Sequence, residues 1–308
     1  MKGLFKKSAY NLLLTLMLSS IGSGCAGINH RVAAPIESFT LLSSNYAVEI
    51  CVREEITQTP EFIESGMPPC VLIESQSLAS GSIIKHYQHP VTGKDQSLIL
   101  SVAHWCERPD SVEDGMEMLP PGPRQAVVAG VYGISRIILA SEYVVDNNGA
   151  MHNITRQVAV DNDVDVCLIE TERIEAPALQ IAPEEPPHGT RVLNMAAPWG
   201  YYDPPNVFID EGLYLGECRQ SSLCRIVGEF TLSGIYAGPG SSGSPILINR
   251  YGRWQVVGII HAVRVAPFGG TYLPMGASVS QIRSVIDREF VPYLEGQEST
   301  ETGETSED

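Results

Sequence analysis

Gly240-Ser241-Ser242-Gly243-Ser244-Pro245 stands between two short apolar segments, residues 225–232 and 245–248, both rich in residue types that strands favour. Glycines on either side of a serine let the chain turn sharply and leave room for a carbonyl group close to main-chain N–H groups. The N–H groups of Gly240 and Ser242 are therefore expected to form an oxyanion hole beside the Ser242 hydroxyl. Taken alone, the string also suits a plain surface turn, because Gly, Ser and Pro cluster in loops. A serine hydroxyl is a weak nucleophile until a base takes its proton, so what else the chain supplies decides between the two.

Residues 97–104, Ser-Leu-Ile-Leu-Ser-Val-Ala-His, read as an apolar strand that ends on His104. A base delivered at the end of a buried strand fits that pattern, and so does a core histidine bonded to a carbonyl. The carboxylate that would fix the imidazole tautomer is sought in Asp161-Asn162-Asp163-Val164-Asp165-Val166-Cys167-Leu168-Ile169. Only Asp165 immediately precedes the apolar run, and strand alternation puts it on one face with Cys167 and Ile169. Asp161 and Asp163 lie earlier, where they are expected to cap a turn.

Between residues 46 and 294 the chain is a succession of short apolar or alternating segments punctuated by Gly, Pro, Asn and Asp. Residues 47–52, 80–86, 97–103, 125–132, 136–145, 152–160, 166–169, 191–196, 213–216, 225–232, 245–248 and 254–263 are the strand candidates. Helical spacing appears once, at residues 279–293, where Ile282, Val285, Ile286 and Phe290 share a face. A β-rich body closing on one helix suggests barrels or a sandwich and argues against an α/β hydrolase. The Pro-rich break at 183–189 divides the strands into two comparable groups, giving lobes at 46–182 and 183–294.

Taken together, the order His, Asp, Ser and the Gly-x-Ser-Gly-Ser-Pro string resemble the chymotrypsin-like serine proteases. Within that family the form resembles bacterial glutamyl endopeptidases and periplasmic quality-control proteases. Residues 79–84, 189–200 and 256–262 resemble that family's strand behind the active site, the first strand of its second barrel and its substrate-pairing strand. The resemblance implies an all-β fold of two packed antiparallel β-barrels with a C-terminal helix. It also implies a serine endopeptidase acting on polypeptides through His104, Asp165 and Ser242, with no metal or organic cofactor. Tyr236, Ile260 and His261 would line the substrate pocket. Glutamate-selective relatives carry a histidine where Ile260 stands, and the one-residue step to His261 turns its imidazole towards the catalytic aspartate. The residue before the nucleophile is Ser241, so activation by an N-terminal salt bridge to an aspartate is not available. A binding or scaffolding lipoprotein without turnover, and an esterase, would use the same fold.

Lys2, Lys6 and Lys7 precede an apolar run at residues 12–21 and a small-residue stretch before Cys25. This reads as an export signal over 1–24, too short in its apolar part to span a bilayer. Cys25 resembles the lipidated cysteine of bacterial lipoproteins, although Gly22 stands where that motif usually has Leu, Val or Ile. Export to the bacterial cell envelope with a membrane anchor at Cys25, ahead of ordinary cleavage to a soluble, secreted form and of a buried hydrophobic first helix, and a linker over 25–45 are the expectations. Six cysteines of the seven then remain for an oxidising compartment. Cys218 and Cys224 close a short loop and form the expected bridge, while Cys167, in an apolar run, reads as a candidate inert thiol. The spacing of Cys and His suits no zinc finger. The net charge of -16 repels phosphate backbones, which argues against a nucleic-acid partner. Residues 295–308 are acidic and nearly free of apolar side chains, and read as a solvated tail.

Overall fold

The computed structural model describes residues 33–66, 68–107, 115, 116, 118–218, 226–265 and 272–295. The signal at 1–24, Cys25, Cys224 and the tail from 296 lie outside the described residues.

The first barrel contains β1 (Phe39–Val52), β2 (Cys70–Gln88), β3 (Asp95–Ser101), β4 (Tyr132–Val145), β5 (Met151–Asp161) and β6 (Val166–Glu172). Their order is β1-β2-β3-β6-β5-β4, closed by antiparallel pairing of β1 with β4. The second contains β8 (Arg191–Ala196), β9 (Phe208–Glu217), β10 (Phe230–Ser233), β11 (Pro245–Arg250), β12 (Arg253–Val265) and β13 (Tyr272–Ser278). Their order is β11-β8-β9-β10-β13-β12, and pairing of β11 with β12 closes it, with the short β7 (Gln180–Ile181) laid parallel on β12. The expected pair of closed antiparallel barrels is thus the fold. Closure leaves few strand edges exposed.

Residues Gln96–Ser101 of β3 and Val166–Thr171 of β6 are buried on both faces, which explains the apolar runs Leu98–Leu100 and Val166–Ile169 within them. The second barrel closes on Val192, Tyr214, Phe230, Leu232, Ile246 and Val257. The C-terminal helix (Val279–Val285) starts at a capping box, Ser278 with Gln281, and continues through a π turn to a last α turn (Val291–Leu294). Phe290 reaches the first barrel, where its ring lies 5.1 Å from that of Tyr87.

Three sequence readings need correction. β1 begins at Phe39, inside the segment read as linker; the buried polar Thr40, Ser43 and Ser44 hide its apolar pattern. Residues 121–128 form a helix although 125–132 reads as strand, because Pro121 at the first helical position starts a helix and β4 opens only at Tyr132. Cys167 is not a free thiol: it is bonded to Cys106, and Cys51 to Cys70. Cys218 is disulfide-bonded.

Candidate active site

β3 and β6 are antiparallel neighbours with Ser101 opposite Cys167. That register carries whatever follows β3 to whatever precedes β6. One helical turn, Ala103–Cys106, follows β3 and bears His104, while Asp165 precedes β6 with φ 55. His104 Nδ1 lies 2.8 Å from Asp165 Oδ2 and 3.0 Å from Oδ1, and the His104 main-chain N–H donates to Oδ1 at 3.0 Å. The Cys106–Cys167 disulfide ties the two segments together, each cysteine two residues beyond its catalytic candidate. Asp161 Oδ1 accepts from the N–H groups of Asp163 and Val164, the turn cap expected of it.

Asp165 is 4% exposed, whereas the His104 side chain is 44% exposed. Burial pushes the Asp165 carboxyl up. The hydrogen bonds and charge of His104, with the charge of His261, outweigh that and hold it below the ordinary aspartate range. An ionised Asp165 requires the proton of a neutral His104 on Nδ1, leaving the Nε2 lone pair as the basic site.

Ser242 sits on a loop fastened to the first barrel. Its carbonyl accepts from the Ser80 N–H at 2.7 Å, and the Ser80 hydroxyl donates to the Gly240 carbonyl at 2.7 Å while accepting from the Ala197 N–H at 3.0 Å. Glycine is required at two points of this loop. Gly243 has φ 81 and a Cβ there would lie 2.0 Å from the Ser80 carbonyl oxygen; Gly240 has φ 86 and its Cβ would meet the Ala197 oxygen at 2.4 Å. The N–H groups of Ser241, Gly243 and Ser244 are given to Gly238, Ile260 and Ser241. Among the described residues, those of Gly240 and Ser242 donate to no protein acceptor. No hydrogen bond of the described residues runs from His104 Nε2 to the Ser242 hydroxyl.

A pocket of about 540 Å³ opens beside Ser242, bordered by Trp199, Ile235, Tyr236, Ile260, His261 and Val263 among others. The three residues expected there, Tyr236, Ile260 and His261, all border it. Tyr236 accepts from Trp199 Nε1 at 2.8 Å through its hydroxyl. The His261 ring is wholly buried and turned away, with Nε2 3.0 Å from Glu229 Oε2 and Nδ1 3.6 Å from Asp165 Oδ2. Among the described residues no group of three or more His, Cys, Asp or Glu side chains is placed to hold a metal ion.

Ser80, Trp199 and Glu229 are the residues that sequence reasoning missed. Ser80 lies in the stretch 79–84 that resembles the strand behind the site, and Trp199, with φ 60, occupies the Pro198-Trp199-Gly200 turn. Those two carried a local signal. Glu229 had none.

The profile described as trypsin-like peptidase domain matches residues 79–259. Among solved structures the chain is similar to the active form of the Rv3671c protease of M. tuberculosis, with TM-score 0.47 and 16% identity over 86% of each chain. It is also similar to the serine endoprotease of Yersinia pestis, with TM-score 0.46 and 14% identity over 86% of this chain and 65% of that one. A third similar structure, the HtrA-type protease AlgW with a decapeptide, has TM-score 0.46 and 14% identity over 80% of this chain and 62% of that one. No curated protein matches the chain in sequence.

Proposed function

We propose that this chain, which belongs to the trypsin-like peptidase domain family, is a serine endopeptidase whose reaction runs through Ser242, His104 and Asp165. The observation that carries the reading is the His104–Asp165 pair, 2.8 Å apart and clamped by a disulfide. It stands in a chain whose serine loop keeps two N–H groups that donate to no acceptor among the described residues.

His104 Nε2 takes the Ser242 proton as Oγ attacks the peptide carbonyl. The oxyanion accepts hydrogen bonds from the N–H groups of Gly240 and Ser242, dipoles fixed before charge develops. Nε2 then returns the proton to the leaving amine. Water hydrolyses the acyl ester by the same route reversed, while Asp165 holds the tautomer and stabilises the imidazolium.

The pocket side chains of Ile235, Tyr236, Ala237, Ile260 and Val263 carry no charge. Burying an unpaired charged side chain among them is costly, so a small or apolar residue is preferred before the scissile bond. Export and a lipid anchor on Cys25 belong to the same reading. Export is supported by the disulfides, which persist in oxidising compartments.

Cleavage of a peptide library tests the proposal. Ala, Val or Leu at the pocket position should exceed Lys or Glu by about a hundredfold or more in kcat/KM. Ser242→Ala should remove activity by about 10⁴- to 10⁶-fold with the fold intact. Cleavage surviving in that variant would refute the assignment, and a library dominated by Lys or Glu would refute the pocket reading.

A further inference from the structure

His261 is a buried imidazole between two buried carboxylates. On β12 its side chain has no accessible surface; Nε2 meets Glu229 Oε2 at 3.0 Å, and Nδ1 faces Asp165 Oδ2 at 3.6 Å without a hydrogen-bond partner. Glu229, immediately before β10, is itself wholly buried. Among the described residues, Asp165 and Glu229 are the titratable groups paired with the ring, and His104 lies on the far side of Asp165.

Proton counting restricts what this arrangement can be. A contact of 3.0 Å between Nε2 and a carboxylate oxygen needs one proton between them. If that were the pair's only proton, Nδ1 would present its lone pair to an anionic oxygen in a buried site, which is repulsive and leaves a buried polar atom unsatisfied. A second proton, on Nδ1, converts the repulsion into attraction.

The geometry points to Glu229 and His261 as a second imidazole–carboxylate pair that holds two protons and positions Asp165 from the side opposite His104. With Glu229 as the carboxylate and His261 as the imidazolium, the pair is neutral overall. Asp165 therefore gains an N–H donor and keeps its full charge as counter-ion to the His104 imidazolium. An imidazolium without Glu229 would cancel that charge. His261 and Glu229 are positioning residues, and the inference rests on Asp165 being the triad carboxylate.

Nitrogen NMR of the full chain carrying ¹⁵N-histidine reads the proton count directly. We expect one ring at neutral pH with both nitrogens protonated, absent from His261→Ser and reduced to a single proton in Glu229→Gln. Both substitutions should lower kcat by about ten- to a hundredfold with KM little changed. The double variant Glu229→Gln, His261→Ser should recover part of the loss, since a hydroxyl can donate to Asp165 once the buried carboxylate is gone. A His261 ring protonated only on Nε2 overturns the inference, as does an unchanged kcat in both single variants when Ser242 reacts normally with a fluorophosphonate. Failure of the peptidase reading shows separately, as a wild-type Ser242 that does not react, and leaves the nitrogen shifts readable.

Discussion

Asp165 occupies the left-handed backbone region, which aspartate tolerates better than most residues and which lets its carboxylate meet both the ring and the main-chain N–H of His104. Replacing it with asparagine keeps the shape and forfeits the charge that selects the Nδ1 tautomer. Asp165→Asn should lower kcat by about 10⁴-fold, as in other Ser-His-Asp triads. The same carboxyl makes a pH prediction. Although burial pushes it up, His104 and His261 hold it below the ordinary range. A depressed carboxyl stabilises the fold above its unfolded-chain pKa of about 4 and loses that contribution as pH falls through the folded value. The stability difference between wild type and Asp165→Asn in denaturant unfolding should therefore narrow from pH 7 to pH 3. A gap independent of pH would contradict it.

The β3–β6 register and one disulfide set the His104–Asp165 distance. β2 supplies Ser80, whose hydroxyl is wholly committed between Gly240 and Ala197 of the other barrel. Ser80→Ala orphans a buried carbonyl and a buried N–H, each worth about 1–3 kcal/mol. It should lower both the unfolding free energy and kcat, because Gly240 is also an oxyanion donor in the proposed mechanism; loss of stability with kcat unchanged would make Ser80 a brace alone. The Cys106–Cys167 bridge closes a separation of 61 residues, for which loop entropy gives about 4 kcal/mol. Urea unfolding of the doubly substituted Cys106→Ala, Cys167→Ala variant should lose stability of that order. A loss below about 1 kcal/mol would mean that the β3–β6 register holds the pair unaided.

At the scale of the molecule, the candidate site lies where two closed barrels meet, and the C-terminal helix ties one to the other. Arg283 Nε donates to the Ala182 carbonyl at 2.8 Å, and Tyr293 donates from its hydroxyl to Glu170 of β6 at 3.0 Å. Much of this was legible in the chain. Leu98–Leu100 of β3, Val166–Ile169 of β6 and Val256–Ile260 of β12 are unbroken by charged or polar side chains because the strands are buried there on both faces, and the helix at 279–293 shows its period plainly. What stayed hidden was polar or long-range. The serines and threonine buried in β1 masked its start, and the valines of 121–128 imitated a strand. Glu229 became visible only when folding set it against His261, 32 residues further along the chain. The Cys106–Cys167 pairing likewise depends on strand register and not on spacing. In the proposed reaction an imidazole held by Asp165 in the first barrel activates the Ser242 hydroxyl of the second, and fluorophosphonate labelling of the folded chain, mapped by mass spectrometry, reads that activation at the reacting atom. The prediction is one adduct per chain on Ser242, abolished in His104→Ala and strongly slowed in Asp165→Asn; no adduct on Ser242, or labelling indifferent to His104, would contradict it.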